Sequence, residues 1–178
     1  MNQTRVSSID FVPEIVQKMN ERNVSGVTYT EGDFLHPGFD DNAFDCIIDK
    51  GSFDAICLDS DPESQEKYNQ YLVEQLRVLD PDSNGRLLIV SLLQAHVLDA
   101  LLDFFVRGQG NSFHEGFSFD IEVRKLDKMT EVQESKFVPF LLCFTKRAKG
   151  DSTAQSNLSL KKSIDTDAQV LNEADLRQ

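Results

Sequence analysis

No stretch of this 178-residue chain approaches the roughly 18 consecutive apolar residues that a membrane-spanning helix needs. The opening residues, MNQTRVSS, lack the apolar segment of a secretory signal, so a cytoplasmic location is expected. Cysteine is scarce. Cys46, Cys57 and Cys143 stand far apart, with no CxxC pair and no Cys/His cluster, and no metal site is expected. Cys46 and Cys143 fall inside apolar strand patterns and read as buried thiols of a reducing compartment. Positive charge is in deficit: the formal net charge is −12 and the pI about 4.6. That excludes nucleic acid held through its phosphates and leaves a basic protein as the favoured kind of partner. There is no Ser/His or Cys/His constellation for nucleophilic catalysis. Nor does a Gly-rich turn precede the first strand, because the chain starts there.

What is present is a repeated unit, an apolar strand ending in an acid. The clearest case runs from Phe44 through Cys46, Ile47 and Ile48 to Asp49, followed at once by Lys50, Gly51, Ser52, Phe53, Asp54 and Ala55. Upstream, one strand pattern ends in Asp10 and another leads through Glu31 and Gly32 to Asp33. In open α/β sheets, ligands bind outside the carboxyl ends of the strands. Three carboxylates at three such ends point to a small-molecule site.

The pattern predicts strands over 6–11, 27–31, 44–49 and 86–93, and helices over 13–22, 64–79 and 95–107. Pro13 suits a first helical turn, and the cluster from Asp80 to Gly85 stops the second helix. The strands at 44–49 and 86–93 are nearly continuous in apolar residues, as in strands buried on both faces. Residues 117–126 and 137–146 alternate and read as a closing antiparallel pair. From residue 147 the composition turns polar. Five basic residues (147, 149, 161, 162, 177) balance five acidic ones (151, 165, 167, 173, 175), so residues 1–146 carry the whole net charge. Such a segment buries too little to offset its ordering entropy and is expected to be disordered.

The order of these motifs resembles the class I S-adenosylmethionine-dependent methyltransferases. Within them the chain is most similar to the eukaryotic elongation factor 1-alpha lysine and N-terminal methyltransferases. The resemblance rests on Ile9-Asp10-Phe11, Gly32-Asp33-Phe34, the run from Ile48-Asp49-Lys50-Gly51 to Ala55, Arg77-Val78-Leu79, Gln94-Ala95-His96 and Pro139-Phe140, over residues 6–146 in unbroken order. It implies a Rossmann-like α/β sheet and methyl transfer from S-adenosylmethionine to protein lysine, with elongation factor 1-alpha as a candidate partner. It places Asp10 on the ribose hydroxyls of the cofactor, Asp33 on the adenine amino group and Phe34 on the adenine face. Asp49 falls beside the methionine part, with Lys50 and Gly51 along the same rim, and His96 and Gln94 face the substrate cleft. Asp54 reads as a support for the loop.

Against that pattern, residues 1–178 lack a counterpart of the first strand, its E/DxGxGxG turn and the first helix. The expectation is therefore a partial methyltransferase domain over 1–146, without its first βα unit, followed by a disordered polar tail over 147–178. Loss of a central strand would take ladder partners from two neighbours, and each unpaired buried backbone group costs roughly 1–3 kcal/mol. Whether the methyltransferase is active in this form stays open at this point, and so do two alternatives. One is a non-catalytic methyltransferase-like module that uses its acidic surface to bind a basic partner. The other is a different doubly wound enzyme such as a nucleotide-dependent oxidoreductase, which also needs a Gly-rich turn and leaves Asp49-Lys50-Gly51-Ser52 unexplained.

Overall fold

A computed structural model describes residues 5–59, 61–107, 117–126, 139–148, 157–161 and 168–169. The chain divides into two compact units, Met1–Asp40 and Asp41–Gln178.

The first unit is a βαβ motif. Strand β1 (Val6–Asp10) runs parallel to β2 (Val27–Glu31), with Val6 opposite Val27 and Asp10 opposite Glu31. Helix α1 (Pro13–Glu21) connects them and starts with Pro in its first turn, where the missing N–H costs nothing. Gly26 adopts φ +81°, a turn conformation that glycine reaches without steric cost, just before β2. No residue of α1 is buried, and Phe11, Ile15 and Val24 are exposed.

The second unit holds a sheet in the order β3-β4-β6-β5-β7-β8. Its strands are β3 (Cys46–Lys50), β4 (Arg86–Ser91), β5 (Phe117–Lys125), β6 (Phe140–Ala148), β7 (Asn157–Lys161) and β8 (Ala168–Gln169). The β3–β4 and β5–β7 pairs are parallel; β4–β6, β5–β6 and β7–β8 are antiparallel. Helices α2 (Ser52–Ile56) and α3 (Pro62–Val78) connect β3 to β4, and α4 (Ala95–Phe105) follows β4. Alternate residues of the middle strands face the core: Leu87 and Ile89, Leu142 and Phe144, Ile121 and Val123 are all buried. The α4 side chains of Leu98, Leu101 and Leu102 close on Ile121, Val123, Leu142 and Phe144. Phe105 stacks on Phe144 at 4.1 Å and meets Phe119 edge-on at 5.1 Å. Every buried apolar side chain among the described residues lies between Phe53 and Phe144. At roughly 1.5–3 kcal/mol for each large one, the second unit carries the core.

Several expectations change in detail. Strand β3 is not buried on both faces. Among the described residues its ladder partner is β4, and Ile48 is 72% exposed while Asp49, which points to the other face, is buried. Cys46 on the same strand is exposed and Cys143 half-buried, so the buried thiol is Cys57 instead. Phe44, expected inside the strand, lies outside β3 and forms an isolated parallel bridge to Leu79. Helix α3 begins at Pro62, two residues early, because Asp61 accepts hydrogen bonds from Glu63 N at 2.7 Å and Ser64 N at 3.0 Å. The closing antiparallel pair is present as β5 and β6. Strand β6 reaches Ala148, and β7 and β8 lie within the segment expected to be a disordered tail; the rest of that segment lies outside the described residues.

Candidate functional site

At the carboxyl end of β3, Asp49 is 3% exposed. Its Oδ1 accepts from Ser52 N at 2.8 Å, and its Oδ2 accepts from Phe53 N at 2.9 Å and from the Tyr71 hydroxyl at 2.5 Å. The carboxylate thus holds the first turn of α2 and ties it to the buried face of α3. Gly51, between them, adopts φ +82°, a conformation that costs glycine nothing. Burial first, then the neighbouring Asp49 charge, pushes the Tyr71 hydroxyl far above its ordinary range, so it stays a donor. Phe53 packs between Tyr68 and Tyr71 at 6.3 and 5.8 Å. Lys50 projects from the same rim and is exposed.

The carboxyl end of β4 lies beside that of β3, Asp49 pairing in register with Ile89. Asp54, the half-buried third residue of α2, accepts from Ser91 Oγ at 2.6 Å and from Leu92 N at 3.0 Å. It supports the loop as expected. Gln94 is the exposed N-cap of α4, and its side chain makes no capping bond. His96 is half-buried in the first turn, and its carbonyl accepts from the Cys57 thiol at 3.9 Å. Burial, then Asp54 and Asp59, push that thiol up to about 11, so Cys57 is a neutral group at physiological pH and not a nucleophile.

In the first unit, Asp10 and Asp33 stand at the carboxyl ends of β1 and β2, where Gly32 N donates to Asp10 O at 3.0 Å. Asp10 Oδ1 accepts from Val12 N at 2.9 Å, which sets the entry to α1 and leaves Oδ2 without an intramolecular partner among the described residues. Asp33 Oδ1 accepts from Leu35 N at 2.8 Å, and its Oδ2 lies 3.4 Å from His36 Nδ1. Phe34 beside it is half-buried. The structure therefore brings Asp10, Asp33 and Phe34 to one end of the first sheet, and Asp49, Gln94 and His96 to one end of the second. Sequence reasoning missed Tyr71 and Ser91. Tyr71 was visible only as an apolar position of α3, and nothing in the local sequence marks its hydroxyl as a partner of Asp49.

Parallel strands with helical connections, acids at their carboxyl ends and an antiparallel β5–β6 pair give this chain the class I S-adenosylmethionine-dependent methyltransferase fold. A SAM-dependent methyltransferase from Methanosarcina mazei matches it with a TM-score of 0.55 at 13% identity, covering 83% of this chain and 84% of that one. Phosphoethanolamine N-methyltransferase 1 of Haemonchus contortus matches at 0.58 and 14% identity, covering 85% and 36%. In sequence the chain is similar to the eEF1A lysine and N-terminal methyltransferase of Xenopus laevis, 33% identical over 150 residues, which is 77% of this chain and 21% of the relative. The Drosophila melanogaster homolog is 35% identical over 102 residues, 56% of this chain and 15% of the relative. The chain spans about a fifth or less of the length of these relatives. No family model matches it. Among the described residues, no helix is long and apolar enough to cross a membrane.

Proposed function

We propose that the chain is a cytoplasmic protein methyltransferase that uses S-adenosylmethionine and acts on a lysine of elongation factor 1-alpha. The observation that carries this reading is the 33% identity, across 77% of the chain, to a methyltransferase named for that substrate. The donor set suits the cofactor. Asp10 keeps one carboxylate oxygen available, and an ionised carboxylate accepts well from vicinal ribose hydroxyls. Asp33 is half-exposed and acceptor-only, as the adenine amino group requires, and Phe34 offers an apolar ring beside it. When bound, S-adenosylmethionine supplies a methyl group on a sulfonium, which a neutral amine can displace in line. That chemistry asks the protein for orientation more than for an acid/base pair. Asp49 contributes by fixing the Lys50–Gly51 turn through its three hydrogen bonds. Gln94 and His96, at the start of α4, face the acceptor.

Titration calorimetry with S-adenosylmethionine, paired with transfer of labelled methyl onto elongation factor 1-alpha, tests the reading. Saturable binding with lysine methylation supports the reading; without the Gly-rich first βα unit, binding is expected to be weak. Asp10→Ala should weaken cofactor binding by about 1–3 kcal/mol, about 5- to 150-fold. Unchanged affinity in Asp10→Ala overturns the ribose assignment, and absence of binding by the unaltered chain overturns the cofactor. The net charge of −12 favours one second reading, a non-catalytic module for a basic partner. A chain that binds elongation factor 1-alpha and no cofactor would establish it.

A further inference from the structure

The loop that leaves β4 is held in an unusual conformation by a side chain from α2. Asp54 takes the Ser91 hydroxyl at 2.6 Å and the Leu92 amide at 3.0 Å, one on each carboxylate oxygen. The Ser91 oxygen in turn accepts from Leu93 N at 2.7 Å. Leu93 lies at φ +49°, in the left-handed region that side-chain-bearing residues rarely adopt. Leu92, next to it, is 45% exposed. Three hydrogen bonds therefore hold a strained backbone that presents a leucine to solvent. The loop adds no fully buried apolar side chain: Ser91 is buried but polar and hydrogen-bonded, Leu92 is exposed and Leu93 half-buried, and the nearest buried apolar side chains, Ile89 and Val97, lie on either side. Strain of this kind persists only where surrounding structure over-determines it, and it concentrates where geometry matters for function. The support runs back to the strand end without a break: Asp49 holds the first turn of α2, α2 carries Asp54, and Asp54 holds residues 91–93.

We propose that Asp54 is a positioning residue. By locking Leu93 in the left-handed conformation, it sets how Leu92, Gln94 and His96 meet the acceptor protein. The role rests on the methyltransferase reading above. Asp54 touches neither cofactor nor acceptor and acts through the loop, so its loss should register in the acceptor KM and not in cofactor affinity.

The test compares the full chain with Asp54→Asn, Ser91→Ala, Leu93→Gly and the Asp54→Asn/Leu93→Gly double variant. The readouts are amide exchange at Leu92 and Leu93, S-adenosylmethionine affinity by calorimetry, and kcat and KM with elongation factor 1-alpha as acceptor. In Asp54→Asn, exchange at the two amides and the acceptor KM should each rise about tenfold, the effect of weakening one hydrogen bond to a charged group, with cofactor affinity unchanged. Glycine holds φ +49° without steric cost, so in the Leu93→Gly background the Asp54→Asn effect on KM should shrink to less than about threefold. A support that only stabilised the fold would show no such coupling to Leu93. Should Asp54→Asn fail to fold, Ser91→Ala, which keeps the bond from Leu92 N, carries the same comparison. Unaltered exchange in the variant overturns the lock. Faster exchange with an unaltered acceptor KM overturns the positioning role alone. An unaltered chain that transfers no methyl group overturns the methyltransferase reading and the acceptor role with it, while the exchange rates still decide whether Asp54 locks the loop.

Discussion

The hydroxyl of Tyr71 donates to Oδ2 of Asp49 at 2.5 Å, joining the end of β3 to the buried face of α3 across 22 residues of sequence. Asp49 is almost fully buried, so its stability depends on every donor around it. Tyr71→Phe removes one donor while keeping the ring. Urea unfolding should show a loss of about 1.5–3 kcal/mol, the range for a hydrogen bond to a charged group.

The same pair sets a pH response. Burial raises the Tyr71 hydroxyl above its ordinary value of 10.0. Above about pH 10 the unfolded chain releases this proton and the folded chain keeps it. The folded state then binds more protons, so stability attributable to Tyr71 is complete below pH 10 and falls as pH rises beyond it. In Tyr71→Phe that part of the alkaline slope should vanish. An identical slope in variant and parent between pH 9 and 11.5 would show that Tyr71 is not buried beside Asp49.

Lys146 is a buried cation on β6 whose Nζ donates to the carbonyls of Leu76 at 2.6 Å and Leu79 at 2.8 Å, at the end of α3. It also lies 4.3 Å from the centre of the Phe117 ring. It satisfies carbonyls that the helix end leaves open. Lys146→Met keeps the volume and orphans those acceptors, so thermal or urea unfolding should register a loss of about 1–3 kcal/mol per acceptor left dry. A neutral result would mean that water reaches the end of α3.

Thiol labelling distinguishes Cys46 from Cys57. Cys46 is exposed on an edge strand, whereas Cys57 is fully buried with its thiol pushed up to about 11. Under native conditions at pH 8, an alkylating reagent should modify Cys46 well before Cys57. Equal rates would contradict the edge position of β3.

Ending the chain after Ala148 removes β7 and β8 but no buried apolar side chain of the described core. The shortened protein should keep a cooperative transition, with its midpoint lowered by about 4 °C or less, equivalent to about 1 kcal/mol. Loss of cooperativity would show that the β5–β7 ladder is needed to hold the sheet.

What the sequence by itself determined was local. Apolar spacing marked α1, α3 and α4, alternation marked β5 and β6, and strand-terminal acids marked Asp10, Asp33 and Asp49. These signals survive because helix and strand periods are written in neighbouring residues. Helix α2 escaped because five residues are too few to show a period. The tertiary structure alone decided which face of the sheet is covered, and hence that Ile48 and Cys46 are exposed on a strand whose composition reads as buried. It also decided the partners of the acids. Asp49 finds Tyr71 from 22 positions away and Asp54 finds Ser91 from 37, pairings that depend on where α3 and β4 dock and that no local pattern encodes.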